Sequence, residues 1–270
     1  MRYIITTLGC KVNQYETQAM ETLLRERGHE PAREGERADI VIVNSCAVTA
    51  ESGRKSRQAL RRLAERSPGA VRAVCGCWAQ TEPGAAEALG ADIVWGSGDR
   101  RGFVEAAERA VLEGVFTSSV DKPFERRVIE DLPAGAFSGH ARAYLKLEDG
   151  CQNFCTYGII PYARGRVRSL PPERAAEKAA GLAASGHREL VLTGIEIASY
   201  GADLPGTPGL AEAVETISRA APELRLRLGS LEPTVVTEEF CARLAALGRE
   251  CGHFHLSLQS GPDGVLARMR

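Results

Sequence analysis

The sequence predicts an α/β protein, with an N-terminal parallel α/β sheet domain followed by an incomplete (βα) barrel. Three observations carry this prediction. Short apolar runs alternate with amphipathic stretches up to about residue 115, the pattern of βαβ units and a parallel sheet. The rhythm is lost over residues 117–139, where Lys122-Pro123, Leu132-Pro133 and Ser138-Gly139 read as a linker. From residue 140 it resumes for four βα units, too few to close a normal barrel, so an open sheet edge is expected.

In the first domain, residues 1–116, the apolar run 3–8 reads as a strand and 14–27 as the helix after it. Residues 39–43 and 51–66 repeat the pair. The strand at 70–75 precedes a helix at 83–89, and the strand at 93–95 precedes a helix at 101–113. In the second domain, residues 140–270, a strand at 144–147 leads to a helix at 172–185 and a strand at 189–192. A helix at 210–221 leads to the strand 224–228, and a helix at 237–247 to the strand 253–258. In that last stretch, His253, His255, Ser257 and Gln259 alternate with Phe254, Leu256 and Leu258. As a strand it would turn a polar face to a lumen and an apolar face outward, or the polar side would be the solvated face of an antiparallel sheet.

Composition is that of a soluble globular protein, and the sequence is read as cytoplasmic from its lack of a signal peptide or membrane span. Lys and Arg total 34 against 35 Asp and Glu, so no global basic charge announces a nucleic-acid partner. The N-terminal apolar run is too short for a signal peptide, and no run of about 18 apolar residues marks a membrane span. No GxGxxG spacing marks a dinucleotide site around Gly194 and Gly201. Arg164, Arg166 and Arg168 form one local basic run, read either as a solvated loop or as a phosphate contact.

Eight cysteines are many for a reducing compartment, where thiols more often bind metal or react than form structural disulfides. Cys10, Cys46 and Cys77 each lie just past a predicted strand, and neighbouring parallel strands bring such loops to one carboxyl edge, where α/β folds place ligands. Three thiolates there suffice to hold a 4Fe-4S cluster with one iron open. Gly9 and Gly76 precede two of them and allow close backbone approach. The competing reading is that these are small buried hydrophobes. Cys75 is expected in the core, because Cys77 stands past the strand end and after a glycine. Cys241 reads as packing on a helical apolar face with Phe240, Leu244 and Leu247; Cys251 has no assigned role.

Cys151-Gln152-Asn153-Phe154-Cys155-Thr156-Tyr157-Gly158 follows the strand at 144–147. It resembles the CxxxCxxC loop of radical SAM enzymes, with Gly158 at the third cysteine position. In that loop three thiolates hold a 4Fe-4S cluster whose open iron chelates S-adenosylmethionine (SAM). The strings TLGCKVNQYET from Thr7, VNSCAVT from Val43 and CGCWAQ from Cys75 resemble the N-terminal domain of the radical SAM methylthiotransferases. TGIEIASYG from Thr193, GSLEP from Gly229 and HLSLQSG from His255 extend the similarity along essentially the whole chain. GCKVNQYET is most similar to the branch that methylthiolates N6-threonylcarbamoyladenosine beside the anticodon of tRNA.

The resemblance implies a tRNA anticodon stem-loop as partner, a low-potential electron donor, and two 4Fe-4S clusters with SAM. The cluster at Cys151 and Cys155 would reduce SAM to a radical that takes hydrogen from C2 of the adenine. The auxiliary cluster at Cys10, Cys46 and Cys77 would deliver sulfur and a methyl group from a second SAM. Thr193, Gly194, Glu196, Ser230, Glu232 and Gln259, at strand ends, would contact SAM. Full-length relatives carry two more barrel strands and a C-terminal RNA-binding barrel, both beyond residue 270. Gly158 leaves open a catalytically impaired fragment binding only the auxiliary cluster; the single branch string leaves open an enzyme for isopentenyladenosine tRNA or a ribosomal protein, and the cysteines alone a zinc-binding structural module.

Overall fold

The computed structural model describes residues 1–134 and 141–269. They divide into two compact units, one of residues 1–125 with Tyr162–Arg164, the other of residues 126–161 and 165–270. Ser138-Gly139 of the expected linker lie outside the described residues. The first unit is a sheet of five parallel strands in the order β2-β1-β3-β4-β5, formed by β1 (Arg2–Thr7), β2 (Glu30–Pro31), β3 (Ile40–Ser45), β4 (Val71–Gly76) and β5 (Ile93–Val94). Its helices are α1 (Lys11–Glu26), α2 (Ala50–Arg66), α3 (Cys77–Thr81), α4 (Pro83–Ala88) and α5 (Arg100–Leu112).

The central strand β3 is buried at every position, as expected of a strand covered by helices on both faces, and so reads as the continuous apolar run Ile40-Val41-Ile42-Val43. Val41 and Val43 pack with Leu60 and Leu63 of α2 and with Val74, Trp78 and Val94. Alternation along the strand leaves Ile40 and Ile42 for the opposite face, where α1 and α5 lie. Thr49 starts α2 by accepting a 3.0 Å bond from the Ser52 amide. Residues 117–121 continue the first unit: Ser119 bridges Trp95, and the Gln80 amide donates to the Asp121 carbonyl at 2.8 Å.

In the second unit β6 (Arg142–Lys146), β9 (Glu189–Thr193) and β10 (Arg225–Leu228) form a parallel sheet in the order β10-β9-β6. A further parallel pair joins β11 (Ser230–Leu231) to β12 (His255–Leu256). Only Gly229 separates β10 from β11, and its amide still bonds to the Leu192 carbonyl at 2.8 Å. The parallel strands thus follow chain order, with α7 (Pro172–Ala184), α8 (Leu210–Ala220) and α9 (Glu238–Ala245) between them and α10 (Asp263–Met269) after β12. Before α7 come a small antiparallel pair that periodicity does not reveal, β7 (Glu148–Asp149) with β8 (Arg168–Ser169), and the short helix α6 (Ile160–Arg164).

Three expectations are corrected. The strand expected at 253–258 is only two residues long, and Phe254, Leu256 and Leu258 are exposed rather than set against a covering layer. Phe254 and Leu256 line an apolar groove of about 300 Å³ against α9. Cys241 is exposed and lines that groove; Phe240 and Leu244, one turn apart, take the buried stripe, and Cys241 falls one position round the helix. The arginine run is neither solvated throughout nor a free basic patch: Arg164 and Arg168 are buried and ion-paired, and only Arg166 is exposed.

Candidate functional sites

In the first unit, Cys10 caps the start of α1 after β1, Cys46 follows β3, and Cys77 begins α3 directly after β4. Because β1, β3 and β4 are adjacent and parallel, all three thiols stand on the carboxyl rim of one sheet. The two glycines are required by geometry. Gly9 has φ +100°, and a Cβ there would sit 2.8 Å from the Cys46 sulfur; Gly76 has φ +96°, and a Cβ would lie 2.5 Å from the Ser45 carbonyl. Cys75 is fully buried within β4, as the core reading expects.

A buried polar frame surrounds the thiols, and sequence reasoning missed it. Asn13 donates to the Leu8 and Ser45 carbonyls at 2.7 and 3.0 Å, tying the two cysteine loops together. Glu16 accepts from Arg164 Nη1 at 2.5 Å and from Arg100 Nη2 at 3.1 Å. Arg164 also donates from Nη2 to Asn13 Oδ1 at 2.7 Å and from Nε to Cys77 Sγ at 3.2 Å. Desolvation pushes the Cys77 thiol up, while the Arg164 charge and hydrogen bond act in the opposite sense. Cys10 keeps part of its surface open to solvent, yet desolvation pushes its thiol to about 11, again opposed by Arg164.

A 4Fe-4S cluster fits this donor set. The side chains offered are thiols, the glycines keep Cβ atoms out of the cradle, and Asn44 Oδ1 is buried there without a hydrogen-bond partner. Among the described residues no group of three or more His, Cys, Asp or Glu side chains is drawn together tightly enough for a single metal ion.

In the second unit Cys151 and Cys155 lie on a partly exposed loop, with the Cys151 amide bonded to the Gly165 carbonyl at 3.0 Å. Desolvation raises the Cys151 thiol to about 11. Gly158 donates its amide to the Cys155 carbonyl at 2.8 Å and offers no third thiolate, so the donor set here does not fit a three-thiolate cluster. Its φ lies outside the left-handed region, and an added Cβ would stand 3.6 Å from the Cys155 Cβ and make one tight contact, 3.3 Å, with the Cys155 carbonyl oxygen.

Around this loop Thr193 ends β9, and Gly194 packs against Glu148, whose carboxylate a Cβ at 194 would meet at 2.7 Å. Glu148 is fully buried, accepts from the Glu196 amide at 2.8 Å, and has its other oxygen without a hydrogen-bond partner. Burial drives it well above the usual carboxylate range. Glu196 is raised to about 7, chiefly by desolvation and then by the nearby Glu232 charge. Glu232 accepts from Asn153 on the cysteine loop at 3.3 Å, so Glu148, Glu196 and Glu232 form one acidic neighbourhood beside Cys151. Ser230 instead pairs with His255 at 2.8 Å, and Gln259 lies on an exposed turn with φ +61°. Lys146 and Arg168 both contact the buried Asp149 carboxylate, at 3.0 and 3.5 Å.

Residues 2–96 match the family described as Uncharacterized protein family UPF0004, and residues 146–270 match the Radical SAM superfamily. The chain is similar to Threonylcarbamoyladenosine tRNA methylthiotransferase MtaB of Bacillus subtilis, with 39% identity over 98% of this chain and 59% of that protein. It is 37% identical to MtaB of Thermotoga maritima, over 98% of this chain and 60% of that protein. With tRNA-2-methylthio-N(6)-dimethylallyladenosine synthase of Clostridium tetani it shares 33% identity, over 99% of this chain and 60% of that protein. The chain thus spans about three fifths of the curated relatives it matches. In fold it is similar to the radical S-adenosylmethionine methyltransferase TsrM of Kitasatospora setae, with TM-score 0.66 and 17% identity over 98% of this chain and 60% of that one. It is also similar to the cobalamin-dependent radical enzyme OxsB, with TM-score 0.60 and 11% identity over 99% of this chain and 45% of that one. A UPF0004 segment carrying three rim cysteines, joined to a Radical SAM segment and similar along its length to named methylthiotransferases, places the chain in the radical SAM methylthiotransferase family.

Proposed function

We propose that this chain is the catalytic part of a tRNA methylthiotransferase acting at C2 of N6-threonylcarbamoyladenosine beside the anticodon, with residues 1–116 holding the auxiliary cluster and residues 140–270 forming the SAM barrel. The observation that carries the reading is the convergence of Cys10, Cys46 and Cys77 on one sheet rim. A 4Fe-4S cluster held there would supply the sulfur. The chain's own residues do the rest at that site: Gly9 and Gly76 keep the cradle open, Asn13 braces the two loops, and Arg164 contacts the Cys77 sulfur. In the barrel Glu196 and Glu232 would receive the ammonium group of SAM, with a low-potential electron donor and a tRNA anticodon stem-loop as partners.

Gly158 favours a second reading, in which the auxiliary site loads and the barrel site does not, leaving the chain impaired in SAM cleavage. Anaerobic reconstitution followed by iron analysis and EPR separates the readings. On the impaired reading the chain binds about four irons and Gly158→Cys about eight; on either reading Cys10→Ala loses the auxiliary cluster and Cys75→Ala keeps it. Colourless protein holding zinc would sink both readings, whereas about eight irons with Gly158 in place would show that another ligand completes the barrel site.

A further inference from the structure

Arg164 lies just past the cysteine loop in sequence, yet it belongs to the first unit, where it is completely buried. A buried guanidinium is costly unless its donors are used, and this one is held as a fork. Nη1 and Nη2 are committed to Glu16 and Asn13, which fixes the plane of the group and aims Nε–H at the Cys77 sulfur, 3.2 Å away. Asn13 Oδ1 also accepts from the Cys10 thiol at 3.8 Å, so the same cradle touches two of the three rim cysteines. A neutral thiol is a weak acceptor and makes poor use of a charged donor, whereas an iron-bound thiolate is a strong one.

We propose that Arg164 is a positioning residue for the auxiliary cluster, donating from Nε–H to the Cys77 sulfur when that sulfur ligates iron. This rests on the reading of Cys10, Cys46 and Cys77 as cluster ligands and deepens it. Hydrogen bonds to cluster sulfurs withdraw electron density and favour the more electron-rich, reduced state, so the contact raises the reduction potential as well as holding the ligand. Arg100 shares Glu16 with Arg164 and bonds to the Gly96 and Ser97 carbonyls, which makes it the natural comparison.

The test uses the 270-residue chain carrying Cys151→Ser and Cys155→Ser, so that only the rim site can load. The one-electron midpoint potential is measured by EPR-monitored titration, together with the rate of iron loss to a chelator. Arg164→Gln should lower the reduction equilibrium about tenfold, or about 59 mV for one electron, and should speed iron loss. Arg164→Lys keeps the charge without the fork and should fall between Gln and Arg; it carries the test if the Gln variant does not fold. Arg100→Gln should move the potential less than Arg164→Gln does. If the parent chain binds no cluster, the ligand reading fails and this proposal with it. If the parent binds a cluster and both Arg164 variants keep its potential, the proposal alone is overturned.

Discussion

At the scale of single residues, buried charge is what sets this molecule apart from an ordinary α/β core. Glu148 and Glu196 are held beside Cys151 with little solvent, and each is more easily protonated folded than unfolded. For Glu196 the folded value is about 7 against an ordinary 4.5. Folding therefore takes up a proton within that window, and stability is lost as pH rises from about 4.5 through about 7. Glu196→Gln removes the penalty while keeping an acceptor for the Ser199 hydroxyl. After discounting for solvent screening, the variant should be more stable by about 1–2 kcal/mol at pH 8, with the difference vanishing near pH 4. Urea denaturation across that range checks this, and a gap that does not change with pH would refute it.

At the scale of elements, the strand-to-helix turns matter most. β4 ends at Gly76 and α3 begins at Cys77 with no intervening loop, so the backbone must reverse within one residue at φ +96°. The turn is crowded as well as left-handed, with the Ser45 carbonyl and Asn44 side chain where a Cβ would go. Gly76→Ala should cost about 2–4 kcal/mol in denaturant unfolding. Gly84, near the start of α4, has ordinary φ and nothing within 4 Å of a built Cβ. Gly84→Ala should be neutral or stabilising by up to about 1 kcal/mol. Equal losses at the two positions would show that the Gly76 turn is not specially constrained.

At the scale of the whole molecule, the two units differ in how a ligand would bear on their stability. The first unit closes its polar frame around three thiols, so a cluster bound only by the folded state adds its binding free energy to folding. Anaerobic reconstitution should raise the melting temperature by at least about 4 °C, roughly 1 kcal/mol in a unit of this size. The Cys46→Ser chain should show no such rise. An unchanged melting temperature in the cluster-loaded protein would mean that the rim binds folded and unfolded chain alike. No helix among the described residues is long and apolar enough to cross a membrane.

Local physics made much of this legible from the sequence. The continuous Ile40–Val43 run required a strand covered on both faces, and the period of 51–66 required the amphipathic α2. The glycine-cysteine pairs at strand ends marked the rim, because a strand end and a left-handed glycine are both properties of neighbouring residues. What only the tertiary structure decided is which distant groups share a buried space. Arg164 meets Cys77 across 87 residues and Glu16 across 148, and nothing in the string ARGRVRS separates a buried fork from a solvated loop. The same holds for Glu148, which looks like an ordinary surface acid until Gly194 leaves room for its carboxylate. Cys241 shares the hydrophobic spacing of its helix, yet the rotation of α9 turns it out of the core toward a groove. Periodicity specifies the faces an element can present; the partner each face meets depends on packing between residues far apart in the chain.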